Sequence, residues 1–389
     1  MSKTKKYSIE YDKLQFEMPS SNAPGSKDFF QCKILSDSDY GNLSLNPNIV
    51  NIIFRGQSKP YILSTGHSLG PHACKINGHE IESEEKLSNC LTNTGKYFSL
   101  NDTKSDRDFS LITHAIISQI PRTVSFPGKI NNLFIPVSGI DKYPDKTKTY
   151  YKYGKTTGVT SAKIFLMLQN PKAQDTLSKC KIKSGKSNIY QIPDYENNCL
   201  RVISHSSNGV DDNITNKDFL LVHGEDFYIN THFNEELEIE PNYQLYIYLA
   251  GFLSYLGFES NTHNKTVLAN IIKSNSIGTK WFETKRVGWV SLMGDSGSGF
   301  YSVDTDETGN QTAQLLGINV EGCTMINIRQ LSNPVKLTEN IQINWDKSKS
   351  QLTIGNWEIL SAQKCSLAHS IPHIGQMIEE IVGEPVVLE

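Results

Sequence analysis

Gly294-Asp295-Ser296-Gly297-Ser298-Gly299 is the stretch on which the reading of this chain turns. Gly294 lets the backbone turn tightly and aims its N–H, with that of Ser296, at one point where an oxyanion can form. Asp295 suits a buried charge partner that would anchor the loop, and Gly297 keeps the space around Ser296 Oγ open. On its own such a run is an ordinary Gly/Ser turn. Nor is it the strained Gly-x-Ser-x-Gly elbow, because Ser298 stands where the second glycine is required. Its weight rests on what precedes it.

A histidine and a carboxylate do. Asn51-Ile52-Ile53-Phe54, the polar turn Arg55 to Pro60, and Tyr61-Ile62-Leu63 read as a hairpin by their punctuation. Ser64-Thr65-Gly66-His67 follows, which puts His67 just beyond the second strand. His72 and His79 read as ordinary loop histidines. Asp108 stands at the mouth of the apolar run Phe109-Ser110-Leu111-Ile112, whereas Asp102 and Asp106 open no such run. A buried carboxylate accepting the Nδ1 hydrogen of an imidazole fixes its tautomer and leaves Nε2 as a base.

Taken together, these blocks resemble the chymotrypsin/trypsin-like serine peptidases. Leu63-Ser64-Thr65-Gly66-His67 resembles that family's Leu-Thr-Ala-Gly-His, and the order His67, Asp108, Ser296 is the family's own. Tyr151 to Ile164, with Gly154-Lys155-Thr156-Thr157-Gly158, is similar to the Gly-x-Thr-Thr-Gly strand pair that opens the second barrel. Gln314 to Gly322 resembles the strand after the nucleophile. Ile371 to Val382 carries apolar residues at 374, 377, 378 and 381, a helical spacing. The resemblance implies an all-β fold of two six-stranded antiparallel Greek-key barrels, closed by a C-terminal helix.

It also implies a serine endopeptidase acting on a polypeptide substrate, with His67, Asp108 and Ser296 as the triad and the N–H groups of Gly294 and Ser296 as the oxyanion hole. No cofactor or metal is needed for that chemistry. By the same resemblance Val290 is the pocket base, with Val320, Glu321 and Gly322 along one wall. Val290 favours an apolar substrate side chain, whereas Glu321 would attract a basic one. Val320 also stands where the family has a serine that supports the aspartate. The alternative is an inactive scaffold of the same fold that serves as a protein-binding module. No Ile-Val-Gly-Gly-type segment is visible, so activation through a new N-terminus is not expected.

Composition agrees with a globular protein. Of 389 residues 38% are apolar and 20% charged, and the net charge of −3 gives no bias toward nucleic acid or anionic lipid. No apolar run approaches membrane-spanning length, since Tyr246 to Phe258 is interrupted by Ser254 and glycines. The basic start Lys3-Thr4-Lys5-Lys6 has no apolar segment after it, so no secretory signal is read there. The seven cysteines are scattered without a Cys-x-x-Cys pair. These features predict reduced thiols in a cytoplasmic or otherwise intracellular protein, with unconventional secretion left open.

The blocks divide the chain into an N-terminal arm (1–30), a first barrel (31–148), and a second barrel (149–168 and 281–389). Thr157 and Ser296 stand 139 positions apart, which makes 169–280 an insertion or a set of enlarged loops. Its expected nature is loop expansion; the alternative is a lid or a surface for a protein partner. Ile341 to Trp345 and Leu352 to Ile354 alternate around Asp346-Lys347-Ser348, as an added hairpin would.

Overall fold

A computed structural model of the chain describes residues 34–36, 48–69, 74–76, 79–81, 85–102, 107–132, 134–154, 157–167, 182–184, 187–194, 199–206, 219–224, 245–246, 249, 252–253, 262–277, 290–291, 295–331 and 341–389. The expected arm, 1–30, lies outside these residues. What is described is mainly β.

Two apolar runs broken by a polar turn start the first sheet. Strands β2 (Ile49–Phe54) and β3 (Gln57–Ser64) pair antiparallel around Arg55-Gly56. The turn is tighter than the sequence suggested, because Gln57 to Pro60 already belongs to the second strand. β3 pairs next with β7 (Arg107–Ile112), and β7 with β6 (Tyr97–Asp102). β21 (Val386–Leu388) lies along β2 and completes five strands. A separate three-stranded sheet joins β1 (Ile34–Ser36), β4 (Cys74–Ile76) and β5 (His79–Ile81).

The other sheet has thirteen strands, and six of them return on themselves. β10 (Tyr150–Gly154) pairs with β11 (Gly158–Met167), β11 with β15 (Phe219–Gly224), and β15 with β20 (Trp357–Ser370). β20 pairs with β17 (Gln311–Gln330), β17 with β16 (Gly299–Thr305), and β16 with β10. All six pairings are antiparallel, and closing a sheet this way hides strand edges. The circuit makes the sheet barrel-like, around a cluster that includes Tyr150, Ile164, Phe300 and Leu316.

The long β17 and β20 run beyond the circuit and carry further strands. β14 (Cys199–Ser206), β13 (Ser187–Asp194) and β12 (Ile182–Ser184) extend the sheet from β17. The expected hairpin is present as β18 (Ile343–Asp346) and β19 (Gln351–Ile354), paired onto β20. β8 (Thr123–Val124) pairs with β9 (Ile135–Ile140), which runs parallel to β17. Strands supplied by segment 169–280 and by the hairpin thus raise the count well above six. One of them, β15, lies inside the circuit itself.

Among the described residues, three apolar clusters hold these layers. The largest joins the first sheet to β16 and β17, to the short helix α2 (Leu87–Thr92) through Leu87, Cys90 and Leu91, and to helix α4 (Ile371–Val382) through Ile371, Ile374, Met377 and Ile378. Ser370 caps α4 by accepting from His373 N–H, and Gly383 ends it in the left-handed region. Ile381, the last of the helically spaced apolar residues, is 38% exposed. A second core packs Leu245, Leu249, Phe252 and helix α3 (Thr262–Asn275) against the far ends of β17 and β20 and the hairpin. Where it is described, segment 169–280 is strand and helix, and its helical part shares this second core with β17, β20 and the hairpin. Among the described residues no helix is long and apolar enough to cross a membrane.

Candidate active site

β3 ends at Ser64, and the chain turns into the single-turn helix α1 (Gly66–Leu69), which carries His67. Gly66 is forced by crowding. A Cβ there would lie 2.0 Å from the carbonyl oxygen of Leu100, so the helix seats against β6 only without one. Ser99 Oγ donates to Gly66 O at 2.9 Å, and Ser110 Oγ donates to Thr65 O at 3.1 Å. The turn before His67 is thereby pinned to both β6 and β7.

Asp108 sits one residue into β7 with its side chain turned inward. Its Oδ1 accepts from the backbone N–H of His67 at 2.9 Å, and its Oδ2 from Nδ1 at 2.5 Å. A carboxylate can only accept here, so Nδ1 carries the proton and Nε2 is left as the basic nitrogen. The two bonds fix both the ring and the backbone that bears it. The Asp108 side chain is 11% exposed and the His67 side chain 26%, so the ring keeps an open face.

Ser296 occupies the tip of a tight turn. Ser298 N–H donates to Asp295 O at 3.0 Å, and Gly297 has φ +81°. A β-turn with a left-handed third residue needs glycine there and lifts its second residue, Ser296, outward. Ser296 is partly exposed while Asp295, Gly297 and Ser298 are buried. Asn319 braces the turn from β17. Its Nδ2 donates to Asp295 O at 3.1 Å, its carbonyl accepts from Gly297 N–H at 2.8 Å, and its N–H donates to Ser298 O at 2.8 Å.

The charge partner anticipated for Asp295 is Lys152, on β10. Its Nζ lies 3.0 Å from Asp295 Oδ2, and both side chains are fully buried. Thr157 Oγ1 donates to the same oxygen at 2.6 Å and accepts from Lys152 Nζ at 2.9 Å, while Thr157 N–H reaches Oδ1 at 3.2 Å. Burial pulls the lysine below its ordinary value, and Asp295 opposes that pull.

Asn48 links the two halves. Its Nδ2 donates to Leu63 O at 3.1 Å and to Gly297 O at 2.6 Å. The turn bearing Ser296 is therefore held against the strand that leads into His67. Gly294, expected as the second oxyanion donor, lies outside the described residues.

Three of the expected pocket residues, Val320, Glu321 and Gly322, lie on β17, and Val290 lies outside any strand. Val290 is fully buried in a cluster with Tyr150, Phe300 and Leu316. Val320 falls at a bulge in β17 between Asn319 and Glu321 and packs on the main core. Glu321 and Gly322 continue that strand opposite Leu367 and Ser366. Both Asp108 oxygens are engaged by His67 itself.

Cys90 and Cys365 are free and buried. Among the described residues no three His, Cys, Asp or Glu side chains gather as a metal site would require. Sequence reasoning missed Lys152, Asn48 and Asn319. Lys152 left one signal, a lysine between Tyr150 and Gly154 on the inward face of an alternating strand. The asparagines left none. No family model, curated protein or solved structure matches this chain.

Proposed function

We propose that the protein is a serine endopeptidase on a fold of two packed β-barrels. The observation that carries the reading is the pair of hydrogen bonds from His67 to Asp108, one through Nδ1 and one through the backbone N–H. That arrangement orients Nε2 and stabilises an imidazolium, a role an ordinary surface histidine does not need. The closed six-strand circuit and the partly exposed Ser296 turn support it.

In this reading His67 Nε2 takes the hydroxyl proton of Ser296 as Oγ attacks the scissile carbonyl. The backbone N–H groups of Gly294 and Ser296 hold the oxyanion of the tetrahedral intermediate. His67 then protonates the departing amine, leaving an acyl-enzyme that water hydrolyses by the reverse sequence. Lys152 and Thr157 hold Asp295, and with it the turn, in the working conformation before any substrate arrives.

Turnover of a mixed peptide library by the full chain tests the proposal. Ser296→Ala and His67→Ala should each remove nearly all cleavage, and the double variant should be little worse than either, because the two act as one unit. Cleavage that survives Ser296→Ala would remove the reading.

A further inference from the structure

The amide of Asn48 uses both of its donors and its carbonyl oxygen at the junction of the two halves. Both carbonyl contacts, to Leu63 O at 3.1 Å and Gly297 O at 2.6 Å, require the NH2 end. Oδ1 accepts from Tyr301 Oη at 2.9 Å, which fixes the amide's orientation without ambiguity. Asn48 is 2% exposed and Tyr301 1%, so water does not compete for these bonds. The backbone joins in, because Leu63 N–H donates to Asn48 O at 2.9 Å. Gly299 is shaped to the same group, since a Cβ there would meet Asn48 Oδ1 at 2.2 Å.

Leu63 lies four residues before His67, and Gly297 lies one residue after Ser296. From these contacts we infer that Asn48, oriented by Tyr301, is a positioning residue that sets the separation of Ser296 Oγ from His67. The inference rests on the peptidase reading above. Asn48 touches no reacting atom and acts through the two backbones it joins. Proton transfer from serine to imidazole tolerates little error in distance, and a misplacement of about 1 Å costs on the order of a hundredfold in rate. A bridge that only stabilised the fold would change how much protein is folded, not the rate of each folded molecule.

The test is the second-order rate of labelling by a fluorophosphonate probe, expressed per folded molecule by circular dichroism, on the full chain. Asn48→Asp keeps the shape but turns two donors into acceptors facing carbonyls. It should slow labelling about a hundredfold. Tyr301→Phe removes only the hydroxyl and preserves packing, so it decides the matter if Asn48→Asp does not fold. It should slow labelling by a smaller but clear factor, with the pH midpoint unchanged because His67 and Asp108 are untouched. Combining the two changes should add little to Asn48→Asp alone. Wild-type protein that labels, with variants that label at the same rate per folded molecule, would overturn the positioning role and leave the peptidase reading standing. Wild-type protein that does not label would overturn both.

Discussion

Lys152 Nζ and Asp295 Oδ2 lie 3.0 Å apart with neither side chain exposed, and the carboxylate belongs to the residue immediately before Ser296. A buried pair of this kind adds little net stability when whole, yet breaking it strands an uncompensated charge. Lys152→Met should therefore cost about 3–5 kcal/mol in denaturant unfolding. Adding Asp295→Asn should recover most of that loss, since no charge is then left unpaired and Thr157 keeps an acceptor. Both variants should label slowly at Ser296, because the turn has lost its anchor. A Lys152→Met protein as stable as wild type would show that the pair is not formed in solution.

The contact between Asp108 and His67 makes a separate prediction. Asp108→Asn should preserve the fold and lower turnover by roughly 10⁴-fold, the loss expected when the imidazole tautomer is wrong. Wild-type turnover should rise with pH across the range in which an imidazole loses its proton, because only the neutral ring can accept from serine. Turnover that is flat from pH 5 to pH 8 would remove His67 as the base.

Alkaline stability follows from buried acids. Burial, reinforced by Glu85, pushes the Cys90 thiol up to about 12, and burial likewise raises Tyr61, Tyr150 and Tyr301. Each group has a folded value above its unfolded one, so its contribution is complete below the unfolded value and lost as pH rises toward the folded value. For Cys90 the window runs from the ordinary thiol range to about 12. Stability should fall there by about 1.4 kcal/mol per pH unit from Cys90 alone, and the tyrosines add to the loss only above the ordinary phenol range. In the native protein at pH 8, Cys90 should resist iodoacetamide until the chain unfolds.

The second core is predicted to be energetically separate from the turn that carries Ser296. Leu268 is fully buried in α3, and truncation to alanine there should cost about 2–5 kcal/mol. The rate of Ser296 labelling per folded molecule should not change. A matching loss of labelling would mean that segment 169–280 communicates with the Ser296 turn.

Much of this architecture is legible in local sequence because local chemistry decides it. The β2–β3 hairpin follows from two apolar runs and a polar turn, and α4 from apolar spacing ended by Gly383. His67 and Asp108 could be paired from sequence because each sits at the end of a recognisable strand. What escaped was nonlocal. Asn48 reaches Gly297 across 249 positions and Lys152 reaches Asp295 across 143, and nothing near either residue marks it out. β15 was hidden because its partners β11 and β20 are distant in the chain. Burial of Val290 depends in the same way on side chains gathered from several strands of the circuit.

Covalent labelling by a fluorophosphonate, read by intact mass and peptide mapping, tests the central claim most directly. The wild-type chain should gain one adduct, mapped to Ser296, at a rate that rises with pH. Ser296→Ala should gain none, and His67→Ala should label only at the slow rate of an unassisted hydroxyl. A wild-type chain that stays unmodified while folded, or one whose adduct maps to another residue, would contradict the account.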